Sequence, residues 1–253
     1  METSLRRMAR RLLAKSPGFY LMVLRALHRG SAEKRLYLSL IRRGDVILDV
    51  GANVGYFTML FSDLVGKKGE VHAFEPIHGT FAELSRNIAR FPGYRNVRLK
   101  CAALGDRSNP IRMFLPGSDS GQAALVCHRD GSWEAASIAS IEVEMIRLDE
   151  YAGHWPRIDF VKCDVEGAEL LVLIGGQSIL KRLRPQLLLE VDNRWLRSFG
   201  RTAEDLFSLL RQIGYSHFYS VGSKLVRLSE NTYGEGEILC SWEELDGLAQ
   251  SCL

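Results

Sequence analysis

The sequence predicts an α/β protein built on one mainly parallel sheet. Three observations carry that prediction. A short apolar run, Val46 to Val50, breaks into a turn containing Gly51 and Gly55, then into Tyr56 to Leu64, where apolar residues recur at helical spacing. Strand and helix patterns alternate from there to Ile213. The alternation gives way near the end to closely spaced short strands, which predict an antiparallel piece.

The elements follow in order. Leu5, Met8, Ala9, Leu12 and Leu13 form a helical stripe, and Ser16-Pro17-Gly18 breaks it. A second short helix is expected from Phe19 to His28. A third, capped by Ser31, carries Leu36, Tyr37, Leu40 and Ile41. Strands are expected at Val46 to Val50, Val71 to Glu75 and Val97 to Cys101, with a helix from Thr80 to Phe91. Ile111 to Leu115, Ala123 to Cys127 and Ile141 to Ile146 read as short, partly antiparallel strands. Ile158 to Cys163 is a buried strand, followed by the loop Asp164 to Gly167 and a helix from Glu169 to Leu183. Gln186 to Val191 is a strand, and Thr202 caps a helix from Ala203 to Ile213. Tyr215 to Val221, Lys224 to Leu228 and Glu237 to Trp242 complete the sheet. The expected organisation is a basic helical extension or cap over residues 1–43 and one domain over residues 44–253. A β-rich insertion occupies about 107–148 of that domain.

Composition narrows the class. The chain has 253 residues, 46% hydrophobic and 25% charged, enough for a sizeable core and ordinary for a soluble globular protein. The net charge of +3 is unevenly placed: eleven basic residues up to Arg43 face only Glu2 and Glu33. Residues 1–30 therefore read either as a basic surface touching anionic lipid or a phosphorylated substrate, or as a helical cap with solvated charges. Nucleic acid is disfavoured, because aromatics are not interleaved with those bases. Five cysteines form no C-x-x-C pair, which points to a reducing, cytoplasmic compartment without structural zinc. A peripheral position on the inner membrane face is the variant that the basic front allows. No apolar segment approaches the twenty residues of a membrane span.

In open parallel sheets, ligands bind beyond the carboxyl ends of the strands. The groups expected there are Asp49 and the Gly51–Gly55 turn, then Glu75, then Ala102-Ala103-Leu104, then Asp164 and Glu166, then Glu190, Asp192 and Asn193. Glu75 lies twenty residues past Gly55, where an acid can accept hydrogen bonds from both hydroxyls of a ribose. That fits nucleoside cofactors generally. A dinucleotide fingerprint needs a glycine where Asn53 stands, and no nearby base serves a phosphate. A cofactor carrying a sulfonium suits the acids better.

Asp49-Val-Gly-Ala-Asn-Val-Gly-Tyr-Phe-Thr58, Ala73-Phe-Glu-Pro76, Ala103-Leu-Gly-Asp106 and Ile158-Asp-Phe-Val-Lys-Cys-Asp-Val-Glu-Gly-Ala-Glu169, in this order, resemble the FkbM family of S-adenosylmethionine-dependent methyltransferases. The resemblance covers roughly Asp45 to Gly214. It implies a class I (Rossmann-like) methyltransferase fold with a mostly parallel seven-stranded sheet flanked by helices. It also implies O-methylation of a hydroxyl on a sugar, glycan, glycolipid or natural product. Carried over by position, Asp49, Gly51, Asn53 and Gly55 would surround the methionine part of S-adenosyl-L-methionine, with Tyr56 opening the adjoining helix. Glu75 would hold the ribose, with Phe74 and Pro76 shaping the rim. Ala103 and Asp106 match the adenine side, and Asp164 would lie beside the methionine amino group and the acceptor pocket.

Asp164, Glu166 and Glu190 are the candidate bases for the acceptor hydroxyl. Asp49 can instead fix the loop, and Glu169 can cap its helix. Two alternatives stand beside this reading. Asp164, Asp192 and Asn193 could hold Mg as in catechol-type O-methyltransferases. Or the chain is a non-catalytic cofactor-binding module of the same fold. The acceptor is expected to be a small molecule or a glycan- or lipid-linked hydroxyl, bordered by the insertion and by Arg194, Trp195 and Arg197. A homo-oligomer is compatible with all of this.

Overall fold

The computed structural model describes residues 32–116, 138–229 and 233–245. The expected helices of residues 1–30, the Ser31 cap and the strand at Ala123 to Cys127 lie outside them.

Helix α1 (Ala32–Leu40) leads into β1 (Val46–Val50), α2 (Tyr56–Val65), β2 (Glu70–Phe74), α3 (His78–Ala89) and β3 (Val97–Lys100). Two short strands, β4 (Ala103–Leu104) and β5 (Ile111–Pro116), precede β6 (Ile138–Val143) and β7 (Met145–Ile146). Then come α4 (Leu148–Tyr151), β8 (Phe160–Cys163), α5 (Glu169–Gly175), α6 (Gln177–Leu183) and β9 (Gln186–Val191). The last elements are α7 (Asn193–Ser198), α8 (Ala203–Ile213), β10 (His217–Val221), β11 (Leu225–Arg227) and β12 (Gly236–Ser241).

The main sheet runs β11-β10-β12-β9-β8-β1-β2-β3. From β9 to β3 every pairing is parallel, and β12, β10 and β11 join antiparallel. Among the described residues it has eight strands, one more than the seven that the resemblance implies, and β11, the short return of a hairpin off β10, falls within the strand expected at Lys224 to Leu228.

Other differences have local causes. The helix expected from Glu169 to Leu183 is two helices, interrupted at Gly176 (φ −118°, ψ 8°). A Cβ on Gly175 would collide with the Gly105 carbonyl, so the chain crosses another backbone where it changes direction. The strand expected from Ile141 to Ile146 divides at Glu144. Its first part pairs antiparallel with β5 and its second parallel with β4. Helix α3 begins two residues early, directly after extended Ile77.

Period-two alternation sorts the strand residues. On one face, Leu48, Val50, Phe74, Val161, Cys163, Leu187 and Leu189 pack with Leu170 and Leu173 of α5, Leu180 of α6 and Leu206, Phe207 and Leu210 of α8. On the other, Ile47, Phe160, Leu188 and Leu239 meet Leu36 and Tyr37 of α1 and Leu60, Phe61 and Leu64 of α2. The Tyr37 ring stands edge-on to Phe61 and Phe160, with centroids 4.8 and 5.7 Å away. Toward the carboxyl ends of the parallel strands this second face turns polar. Asp49 pairs with Lys162, and Glu237 with Glu190.

Candidate active site

The turn after β1 is shaped by backbone contacts. Gly51 has φ +82°, and a Cβ there would fall 3.0 Å from the Asp164 carbonyl carbon and closer still to its oxygen. A bare glycine thus lets the β1 turn rest on the exit loop of β8. Asn53 is left-handed (φ +50°), a conformation that asparagine tolerates better than most residues. Its N–H donates to Glu75 Oε2 at 3.0 Å, and the Ile77 N–H donates to Glu75 Oε1 at 2.9 Å. The Glu75 carboxyl therefore bridges the loops after β1 and β2. It is 6% exposed, and burial pushes its pKa up to about 7 despite those two N–H donors.

Phe74 serves this turn through its backbone. Its carbonyl accepts from the N–H groups of Gly51 (3.1 Å) and Ala52 (2.9 Å). Its ring is buried in the core against Tyr151, 4.9 Å between centroids, and does not form the expected rim. Tyr56 opens α2 and turns toward α1, where Lys34 Nζ lies 4.5 Å from its ring. Pro76 follows Glu75 with its carbonyl near Cys101 Sγ.

A row of ionisable groups crosses the strand ends on the α1/α2 face. Asp49 is fully buried. Its Oδ2 accepts from Thr58 Oγ1 at 2.6 Å, and its Oδ1 has no hydrogen-bond partner. Lys162, 2% exposed, donates from Nζ to Asp164 Oδ2 at 2.8 Å and lies 5.0 Å from the Phe57 ring centroid. Burial pushes the Lys162 ammonium down, but Asp164 and Asp49 outweigh it and hold it above its usual value. Burial also pushes Asp164 up. Lys162 and a hydrogen bond from Glu190 prevail, and Asp164 stays below the usual carboxylate range. Glu190 is raised by burial and then by Asp164, so near neutral pH it keeps its proton and donates it to Asp164. Glu237 is raised by burial and by Glu33. Glu33, on α1, accepts from the Tyr37 hydroxyl.

The loop after β8 is held by its own acid. Glu169, 1% exposed, accepts from the N–H groups of Val165 (3.0 Å) and Gly167 (3.3 Å) through Oε1. It acts as a cap for the loop, and burial raises its pKa to about 8. Glu166 sits in the left-handed region at φ +53°, a strained position for a non-glycine residue. Gly167 lies against the backbone and Cβ of Trp195, so α7 walls this loop.

The remaining candidates are more dispersed. Ala103 is paired with Met145 in the β4–β7 ladder. The Asp106 carboxylate is engaged by Arg107 at 3.1 Å, and its backbone lies beside Gly175, at the end of α5 remote from the Asp164 loop. The arrangement does not favour the magnesium alternative. The Asp192 carboxylate caps α7 and is held by the Arg194 guanidinium, while Asn193 Nδ2 donates to Glu235. Among the described residues no three acidic, histidine or cysteine groups gather to hold a metal ion. The β5–β6 hairpin packs on Ile77, two residues past Glu75.

Sequence reasoning missed Lys162, Glu237 and the Glu33–Tyr37 pair. Lys162 had a visible signal: Phe160, Lys162 and Asp164 alternate onto one face of a buried strand. Glu237 and Glu33 join through tertiary structure alone.

The parallel core with its antiparallel β12, and the glycine turn answered by Glu75, define a class I methyltransferase fold. A family model for the methyltransferase FkbM domain matches residues 49–216, and the chain belongs to that family. It is 32% identical over 152 residues to the hexuronic acid methyltransferase AglP of Haloferax volcanii, covering 58% of this chain and 56% of that protein. It is 52% identical over 161 residues to the 31-O-demethyl-FK506 methyltransferase FkbM of Streptomyces tacrolimicus, covering 53% and 60% respectively. The matched part thus spans a little over half the length of either relative. Among solved structures, a methyltransferase FkbM from Methylobacillus flagellatus KT aligns over 82% of this chain and 50% of its own. That alignment has 14% identity and a TM-score of 0.49.

Proposed function

We propose that this chain is an S-adenosylmethionine-dependent O-methyltransferase acting on a hydroxyl of a sugar, glycan, glycolipid or natural-product acceptor. The observation that carries the reading is the Glu75 carboxyl. An ionised carboxylate has about four acceptor positions. The backbone takes one on each oxygen, which leaves each oxygen a position for one ribose hydroxyl. The glycine turn beside it lets backbone approach a ligand closely. Asp49 adds a buried oxygen without a partner. These groups fit the nucleoside and the cationic methionine end of the cofactor, and they offer no phosphate clamp. The names of the two relatives, one a hexuronic acid methyltransferase and one a 31-O-demethyl-FK506 methyltransferase, support an oxygen acceptor.

When bound, the cofactor supplies a methyl group on a positively charged sulfur, already activated for displacement. The protein's task is alignment and proton removal. Glu75, Asn53 and the Gly51–Gly55 turn would hold and orient the cofactor. Asp164 is the favoured base, because Glu190 keeps its own proton near neutral pH. A carboxylate of low pKa suffices, since the acceptor oxygen becomes strongly acidic as it gains the methyl group. The residues around Gly167 and Trp195 would bound the acceptor.

Calorimetry with S-adenosylhomocysteine tests the first half. Absence of binding, or binding unchanged in Glu75→Ala, would sink the reading. Transfer of labelled methyl from S-adenosylmethionine to a panel of a methyl hexuronoside, a hexosyl lipid and a polyhydroxylated macrolactone tests the second. Binding without any transfer favours the non-catalytic module.

A further inference from the structure

Lys162 stands in the middle of a central strand, a costly place for an ammonium. Parallel neighbours flank its strand on both sides, and α1 and α2 cover its face. Stability alone gives little reason to keep it there, because a buried ion pair is often no better than a well-packed apolar pair. Its direct partner is Asp164 Oδ2 at 2.8 Å. The other groups facing it are Asp49 from β1, Glu33 from α1 and the Phe57 ring from α2. Glu190 and Glu237, from β9 and β12, complete the row, and Tyr37 of α1 holds Glu33. Asp49 is drawn toward Thr58, and the hydrogen bond from the ammonium goes to Asp164 on the exit loop of β8.

We propose that Lys162 is a positioning residue: its ammonium holds the Asp164 carboxylate from inside the sheet, leaving that carboxylate to take the proton of the acceptor hydroxyl. This deepens the functional reading above and rests on it for the role of Asp164. The acceptor hydroxyl gives its proton to a carboxylate oxygen of Asp164, and Lys162 takes no part in breaking or forming a bond.

The test is a carbon-13 carboxyl titration of the full chain, with Asp164 and Glu190 assigned through Asp164→Asn and Glu190→Gln. In Lys162→Met, the Asp164 titration midpoint should rise by about 1–3 pH units, the reach of a lost neighbouring charge. In Lys162→Arg it should stay near the wild-type value. Lys162→Gln serves as a second uncharged variant should Lys162→Met not fold by circular dichroism. An unmoved Asp164 midpoint in a folded uncharged variant overturns the proposal, as does an equal shift in Lys162→Arg. This readout needs no cofactor. Failure of the wild type to bind S-adenosylhomocysteine would therefore strike the functional reading while leaving the titration to decide the positioning. On any acceptor the panel yields, the uncharged variant should lose about 100-fold in kcat with KM for S-adenosylmethionine little changed, and arginine should restore it. Unchanged kcat overturns the role.

Discussion

Gly51→Ala tests whether the glycine turn is a backbone contact rather than a flexible link. Two costs add at this position. A left-handed backbone (φ +82°) costs an alanine about 1–2 kcal/mol that glycine does not incur. The new methyl would also sit 3.0 Å from the Asp164 carbonyl carbon and closer to the oxygen. An ordinary contact needs about 3.5 Å or more, so one of the two loops must retreat. Such overpacking costs about 1–3 kcal/mol. Alanine recovers about 0.4–1 kcal/mol by restricting the unfolded chain. A net loss of about 3 kcal/mol follows, or about 6–12 °C in Tm for a chain of this size. Gly200→Ala is the control: it too is left-handed (φ +65°) but has nothing within 4 Å of the added carbon, so it should show only the backbone cost. Because the retreat moves Asp164, S-adenosylhomocysteine affinity should fall in Gly51→Ala and hold in Gly200→Ala. Differential scanning calorimetry and titration calorimetry measure both. Equal Tm values for the two variants, with cofactor affinity intact in each, would refute the reasoning.

Two further outcomes follow from single side chains. Glu75 titrates at about 7 without cofactor, and ribose hydroxyls donate to its ionised form, so protonation opposes binding. Affinity for S-adenosylhomocysteine should be level above that pH and fall about tenfold per pH unit below it, and a flat profile from pH 5.5 to 8 would count against a ribose role. Thr58→Val removes the one hydrogen bond given to the buried Asp49 carboxylate and should destabilise the fold by about 1–3 kcal/mol in urea denaturation. Thr58→Ser should retain most of that stability, and equal losses in both variants would point to packing instead.

Much of this architecture was readable in the sequence because its signals are local. Val46 to Val50, the turn and α2 follow from an apolar run, glycines and helical periodicity, and Glu75 from its distance beyond them. Asn53 departs from the pattern of a dinucleotide turn, and its left-handed backbone supplies the physical reason such a residue fits there. The unread parts depend on contacts between distant segments. The break at Gly176 goes with a crossing of Gly175 over Gly105, 70 residues earlier in sequence. The Phe74 ring belongs to the core because its place in the pleat sends it away from the turn, although its neighbour Glu75 faces the site. Glu190 keeps its proton because the fold buries it and sets Asp164 against it, with Glu237 beside it across the β9–β12 register. An acid named as a base from sequence becomes a proton donor once those neighbours are in place.

The short eighth strand has a consequence for how the molecule meets its own copies. An exposed sheet edge is a template for further strand pairing. Here one edge ends in β11, only three residues long, whose Arg227 is engaged by Glu244. The opposite edge is β3, where Arg98 pairs with Glu70 and Lys100 with Glu144. Both flanks are thus short and charged. A fold that carries a buried row of ionisable groups at its centre is shielded at its described margins from the open-ended stacking that a long apolar edge would invite.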